Sequence, residues 1–263
     1  MLIASWNVNS VKARLDHLLR WLGEAAPDVA LLQETKCLEA AFPREAVEDL
    51  GYNIAVAGQK TYNGVAILSK RPLEDVITAL PGDPGDDQAR YVEAVTGGVR
   101  VASVYVPNGQ SVGSDKYAYK LAFLERLNAH AQTLLDLEEP FVLGGDYNVI
   151  PDPGDVWDPA SWEGGILYTL AERAGYRRLL NLGLTDAFRA LSGEIGRYTW
   201  WDYRGGGWTK DHGCRIDHLL LSPQAADMLA ESGIDKTPRG WEKASDHTPV
   251  WCRLAAEDAA RAA

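Results

Sequence analysis

The chain has 263 residues, with 37 acidic side chains against 26 basic ones and a formal charge of −11. That length fills one large α/β core but not two comfortable ones, and the acidity excludes a nonspecific nucleic-acid coat, whose affinity comes from Lys and Arg displacing counterions. Cys37, Cys214 and Cys252 are scattered without a CxxC pair, no run nears the roughly 18–20 apolar residues of a membrane span, and MLIASWNVNS lacks the regions of a signal peptide, so a soluble cytoplasmic protein, monomeric by default, is expected.

Leu2 to Trp6 reads as a strand. Val11, Leu15, Leu18, Leu19 and Leu22 then recur on one helical face, closed by Gly23 and Pro27, before a buried-type strand from Asp28 to Gln33. The spacing predicts a strand pair over Tyr52–Ala57 and Gly64–Ser69, and a hairpin over Tyr91–Thr96 and Val99–Val106 around Gly97-Gly98. A long amphipathic helix from Asp115 to Leu137 precedes a strand at Phe141–Gly145. The Pro-, Gly- and Asp-rich stretch 151–165 reads as a surface loop, and a helix is expected over Ser161–Leu182. Late strands at Ile216–Leu221 and Pro249–Leu254 enclose a short helix. Helices falling between groups of strands predict an α/β fold with two packed sheets flanked by helices, a single domain over 1–254, and a fraying tail over 255–263.

Polar residues recur where strands end: Asn7, Glu34, Tyr105, Asp146 with Asn148, Asp217 inside the apolar RIDHLLLS, and Asp246-His247 before the last strand. If these strands are neighbours, the ends meet at one site. Glu34, Asp146 and Asp246 are hard oxygen ligands, and an oxygen-rich set without thiolate suits Mg²⁺ or Mn²⁺ rather than zinc. A cation, a histidine and amide donors together address the charge that makes a phosphodiester unreactive. Asp217 and His247 can pair, the carboxylate fixing the imidazole tautomer. Singly, each of these residues has a bland reading as a cap, a turn residue or a satisfied core group; their conjunction and order carry the expectation.

The blocks SWNVNS, LLQETK, NGVAILSK, VYVPNGQS, GGDYNV, TWWDYR, GCRIDHLLLS and SDHTPV, in this order over residues 5 to about 252, resemble exonuclease III and the related abasic endonucleases of the endonuclease/exonuclease/phosphatase superfamily. The resemblance implies a four-layer αββα sandwich, two mixed sheets flanked by helices, and a Mg²⁺-dependent DNA-repair phosphodiesterase acting on double-stranded DNA with abasic sites or blocked 3′ ends. It implies Glu34 as main metal ligand, with Asn7, Asn148, Asp146 and Asp246 in the metal and phosphate shell and Asn9 near the phosphate. It implies Tyr105 beside the scissile phosphate, Asn148 on the transition state, and His247, paired with Asp217, on a phosphate oxygen. Asp146, His247 and a Tyr105 phenolate each remain possible activators of water.

TWWDYR followed by GCRID implies a wall for a base-free sugar, with Trp200 as the candidate and one of Trp200 and Trp201 facing inward. Cys214 stands where this branch carries a larger apolar residue, which would loosen the pocket. Lys12 stands where relatives often place Arg, losing a bidentate fork. Candidate phosphate contacts are Lys12, Arg14, Arg90, Lys116, Lys120, Arg204, Lys210 and Arg215, with Arg90 and Lys120 at family positions associated with DNA. The same chemistry serves phosphatases of inositol phosphates or phospholipids, and a non-enzymatic binding module is a third reading.

Overall fold

The computed structural model describes residues 1–255; the expected tail lies outside the described residues from 256 onward. The chain opens with β1 (Leu2–Asn7), α1 (Leu15–Ala25) and β2 (Val29–Gln33). A short α2 (Arg44–Glu48) leads into the antiparallel pair β3 (Asn53–Ala57) and β4 (Val65–Ser69), followed by β5 (Glu74–Ile77). β6 (Tyr91–Thr96) and β7 (Val99–Tyr105) form the expected hairpin, and both turn residues, Gly97 and Gly98, have positive φ, as a type I′ turn demands. α3 (Asp115–Leu135), capped by the Ser114 hydroxyl, feeds β8 (Phe141–Asp146).

The remainder holds α4 (Pro159–Trp162), α5 (Leu170–Asn181), β9 (Thr185–Asp186), α6 (Ala187–Leu191), β10 (Trp200–Trp201) and α7 (Gly207–Lys210). It ends with β11 (Gly213–Cys214), β12 (Asp217–Leu221), α8 (Pro223–Asp227), β13 (Leu229–Ile234) and β14 (Val250–Leu254).

The strands assemble into two six-stranded sheets, β13-β14-β1-β2-β4-β3 and β5-β6-β7-β8-β12-β9, with β10-β11 as a separate ribbon. Alternation assigns the layers. Ile3, Val29, Leu31, Val142, Leu219 and Leu221 fill the space between the sheets. Their sequence neighbours Ala4, Trp6, Ala30 and Leu32 face outward onto α1, whereas Phe141, Leu143 and Leu220 face α3 and α5. Both faces of the central strands are covered, which is why these strands read as continuous apolar runs rather than as alternating ones. The result is the expected four-layer αββα sandwich.

Register brings the strand ends together. β1 runs parallel to β2 with Asn7 opposite Gln33, and β7 runs parallel to β8 with Tyr105 opposite Asp146. β12 is antiparallel to β8 and begins with Asp217 opposite that same Asp146. Close approach makes the two glycines of GGDYNV necessary: a Cβ on Gly145 would sit 1.8 Å from the Val104 carbonyl oxygen, and one on Gly144 would meet Leu31 and Leu219 at 2.6 Å.

Three expectations change. The helix foreseen over Ser161–Leu182 is two helices: Gly164 turns the chain at φ 71, and a Thr169–Glu172 capping box starts α5 afresh. The stretch 151–165 is only partly a surface loop, because Arg189 and Arg215 draw Asp155 into the interior. α1 begins at Leu15 rather than Val11 and runs through Gly23 to Ala25. β5, exposed throughout, and β13, an edge strand, have too few buried positions to show a period in the sequence.

Candidate active site

The ends of β1, β2, β7 and β8 and the starts of β12 and β14 surround one polar floor. Asn7, buried at the end of β1, donates through Nδ2 to Glu34 Oε1 and Asp146 Oδ2, both at 2.9 Å. Glu34 Oε1 also accepts from the Tyr105 hydroxyl at 2.9 Å, and Oε2 lies 2.7 Å from Lys36 Nζ. Burial would raise the Glu34 pKa, but Lys36 and the Asn7 amide hold it below its ordinary value. Lys36 also donates to Asn9 Oδ1 at 2.5 Å. Lys36, the last letter of LLQETK, has no signal in the sequence, because one lysine after a strand carries no period or spacing.

Asp217, at the first position of β12, is fully buried and accepts from His247 Nδ1 at 2.9 and 3.1 Å. The other ring nitrogen, Nε2, lies 3.7 Å from Asp146 Oδ2. The imidazole is therefore held between two carboxylates. Burial opposes its charge, but Asp217 and then Asp146 outweigh burial and push its pKa up to about 10. Asp146 is pushed up to about 7, chiefly by burial, with Asp217 and Glu34 adding to the rise and His247 opposing it. Burial, together with Glu34 and Asp146, raises Tyr105 well above its usual range, so this side chain is a phenol and not the phenolate that remained possible from sequence. Ser245 anchors the histidine segment, its hydroxyl donating to the Asn7 carbonyl at 2.7 Å and accepting from His247 N.

One ligand atom each from Glu34, Asp146 and His247 lie within 4.8 Å of one another. Two hard carboxylates at this spacing fit a divalent cation. His247 completes the group, its ring oriented by Asp217. Asn7 and Asn148, also expected as ligands, lie on the same floor, where the amide oxygen of each accepts one hydrogen bond and keeps a second lone pair, Asn7 Oδ1 from Asn9 N (3.0 Å) and Asn148 Oδ1 from Asn108 Nδ2 (3.1 Å). Asp246 lies outside this trio. Its carboxylate accepts from Asn9 Nδ2 (2.9 Å) and Trp200 Nε1 (3.0 Å), so it joins the floor to the indole.

Asn148 is buried at φ 49, with its amide nitrogen donating to the Val106 carbonyl (3.0 Å) and its backbone N–H to Asp146 Oδ1 (2.9 Å). Arg90 lies over the Tyr105 ring at 4.7 Å, half-buried at the edge of the floor, where a phosphate contact remains open to it. Lys120 has no such option. It is wholly buried, paired with Glu172, and hydrogen-bonded to two main-chain carbonyls, so it is not a DNA contact. Arg215 is likewise enclosed, 2.7 Å from both Asp155 and Asp186, and Arg204 pairs with its neighbour Asp202. Arg14 caps the Asn9 carbonyl and reaches the Tyr203 hydroxyl at 3.2 Å. Lys12 and Lys116 remain exposed.

Of the tryptophan pair, Trp201 is fully buried and Trp200 half-exposed, as strand alternation requires. Cys214, opposite Trp200 on β11, is also fully buried, among Ile150, Val156, Leu167, Tyr168 and Ile216. It therefore supports the wall from behind and offers no surface to a substrate. The wall itself is Trp200, met edge-on by Trp162 at 6.5 Å. A cleft of about 630 Å³ lies elsewhere, lined by Tyr52, Ile54, Pro72 and Val76, and holds none of these groups.

Residues 4–247 match the Endonuclease/Exonuclease/phosphatase family. The chain belongs to the endonuclease/exonuclease/phosphatase family. Within it, the chain is similar to exodeoxyribonuclease III of Haemophilus influenzae, at 34% identity over 97% of this chain and 100% of that protein. Among solved structures it resembles the 3′ phosphatase NExo from Neisseria bound to product DNA hairpin (TM-score 0.95, 38% identity, 97% of this chain and 100% of that one). It also resembles an AP endonuclease from Archaeoglobus fulgidus (TM-score 0.93, 36% identity, 97% and 100%). These likenesses place it in the exonuclease III/AP endonuclease branch, a group of metal-dependent hydrolases. For an endonuclease/exonuclease/phosphatase enzyme the floor has the needed parts: paired carboxylates, a charged imidazole, a phenol and buried amides. No helix among the described residues is long and apolar enough to cross a membrane.

Proposed function

We propose that the protein is a Mg²⁺-dependent DNA-repair phosphodiesterase, with Mn²⁺ as an alternative ion, that incises double-stranded DNA at abasic sites and trims blocked 3′ ends by 3′-phosphodiesterase and 3′→5′ exonuclease action. One observation carries this reading: Asp246 ties the catalytic floor, through Asn9, to the Trp200 indole, so a phosphate on the floor has an apolar wall within one residue's reach. An extrahelical sugar without its base is small and apolar on one face, and costs less to flip than an intact nucleotide. The names of the three relatives, an exodeoxyribonuclease, a 3′ phosphatase and an AP endonuclease, support the same substrate class.

Bound at Glu34 and Asp146, a divalent cation would neutralise a phosphate oxygen and acidify a water. The protein's own groups divide the remaining work. Asp146, facing the His247 ring, takes a proton from the attacking water. His247, charged and fixed by Asp217, holds a nonbridging phosphate oxygen and balances the charge that grows there. Tyr105 and Asn148 add neutral donors beside it. The acidic exterior predicts modest affinity for undamaged duplex, and a rim of cations such as Lys12, Arg90 and Lys116 on the phosphates predicts steep loss with salt.

The test is incubation with matched duplexes, one carrying a single tetrahydrofuran site and one a 3′-phosphate, with Mg²⁺ or with chelator, beside inositol phosphate and phospholipid controls. Incision at the tetrahydrofuran site that stops with chelator is expected. Hydrolysis confined to the headgroup substrates would overturn the reading.

A further inference from the structure

We infer that Lys120 is a positioning residue: its buried ammonium sets the backbone of Asn148, and thereby the direction of the Asn148 amide on the catalytic floor. The inference rests on the proposed phosphodiester chemistry for the purpose of Asn148, but its geometry is independent of the substrate.

Lys120 lies in the second turn of α3 and is 0% exposed. Its Nζ donates to the Asn148 carbonyl at 2.6 Å, to the Asn108 carbonyl at 3.2 Å, and to the Glu172 carboxylate. An ammonium has three hydrogens, and here each has a protein acceptor. The stem is equally enclosed: a Cβ on Gly109 would come within 3.1 Å of Lys120 Cδ.

Glu172 is not an idle counter-charge. Its oxygens accept from Leu167 N (3.1 Å), Thr169 N (2.9 Å) and the Thr169 hydroxyl (2.8 Å), which closes the capping box of α5. Lys120 thus joins three separate segments: the loop after β7, the turn after β8, and the start of α5. The first two present their side chains to each other, Asn108 Nδ2 donating to Asn148 Oδ1 at 3.1 Å.

A buried ion pair is a poor device for stability alone, since a packed apolar pair of similar volume is often neutral or better. The use of this one lies in the acceptors it satisfies. Asn148 adopts φ 49, a left-handed conformation that non-glycine residues hold only when their surroundings fix it. Its N–H is tied to Asp146 and its amide to Val106, and the Lys120 ammonium fixes the remaining group, the carbonyl. Released from that hold, the peptide after Asn148 can rotate, and the side chain leaves the floor.

The experiment separates positioning from packing. Lys120→Met alone leaves Glu172 buried and unpaired, so a loss of fold is possible; Lys120→Met combined with Glu172→Gln removes both charges and is the informative variant. We expect the double variant to melt within about 5 °C of the parent while kcat falls on the order of 30-fold and KM changes less than about threefold. In a cycle with Asn148→Ala, the asparagine substitution should cost at least about tenfold less kcat in the double variant than in the parent. Independently of any substrate, the ¹⁵N–¹H signals of the Asn148 side-chain amide should shift or broaden in the double variant. Recovery of kcat along with the melting temperature, full multiplicative costs in the cycle, or unchanged Asn148 amide signals would each overturn the inference. If the parent cuts no DNA, the functional reading falls, and the amide signals still decide this one.

Discussion

Two buried clusters in this protein share a plan, a cation clasped between two aspartates, and differ in what the cation is. In one, His247 sits between Asp217 and Asp146; in the other, Arg215 sits between Asp155 and Asp186. Arg215 and Asp217 are two residues apart in sequence. Arginine presents a planar fork that never loses its proton, and it holds Asp186 down to about 2 and Asp155 below its usual range, although burial pushes both upward. Histidine is a titratable partner with two nitrogens, one spent on Asp217 at 2.9 Å and the other left 3.7 Å from Asp146, whose carboxyl rises to about 7. The same electrostatic plan is thus locked in one place and poised in the other. Completed hydrogen bonding makes a fastener, and incomplete hydrogen bonding makes a proton acceptor.

The largest effect should come from breaking the poised cluster. His247→Ala removes the donor on the phosphate and leaves Asp217 and Asp146 facing each other; kcat on a tetrahydrofuran duplex should fall by about 10³-fold or more, with circular dichroism unchanged. Near-parental turnover would refute the role given to this ring. Breaking the locked cluster should give the opposite profile. Arg215→Met strips the buried Asp186 of its arginine and leaves Asp155 with Arg189 alone, and the expected cost is about 3–5 kcal/mol of unfolding free energy, measured in urea, with any loss of kcat far smaller than for His247→Ala once folded protein is compared.

The sequence carried the floor far better than its surroundings, and these clusters show why. Glu34, Tyr105, Asp146, Asp217 and His247 stand at or near the ends of apolar strands, so the limits of continuous apolar runs mark them, and sheet register alone brings Asp217 opposite Asp146. Lys120, from its family position, and Arg215, as one candidate among eight, are expected at the phosphates, and both are buried instead. Their acceptors are main-chain carbonyls and carboxylates 12 to 60 residues away in the chain, contacts that no local pattern records. Asp246 shows the same limit: SDH places it beside His247, but its tie to an indole N–H from 46 residues upstream has no local signal. The split helix around Gly164 and the inward turn of Asp155 belong to the same class, since both depend on partners brought near only by the finished fold.

The clusters should also separate by pH. A carboxylate whose folded pKa is depressed stabilises the fold above its unfolded pKa, about 3.9, and loses that contribution as pH falls through its folded value. For Asp186 the window runs from about pH 4 down to about pH 2, so the Arg215→Met penalty should be full at pH 7 and shrink across it. Asp146 has the reverse sign. Its folded pKa is raised, so the metal-free protein is penalised as pH climbs from about 4 through about 7. In chelator, Asp146→Asn should therefore raise the melting temperature at pH 8 and not at pH 4, while abolishing most activity with metal present. A uniform change across pH would show that this carboxyl is not held protonated by its surroundings.

The smallest effect concerns the wall rather than either cluster. Trp200→Ala removes the half-exposed indole and its bond to Asp246 but leaves Trp201 and Cys214 behind it. If the indole lines a sugar pocket, kcat/KM for the tetrahydrofuran duplex should fall about tenfold, a loss of the size expected from one apolar contact. Removal of a 3′-phosphate from a nicked duplex, which requires no flipped sugar, should change by no more than about threefold, since the floor stays intact. Equal losses on the two substrates would mean that Trp200 acts through Asp246 on the floor itself. In that case the selectivity for damage would have to come from the exposed loops around Tyr203 and Trp157, and not from this wall.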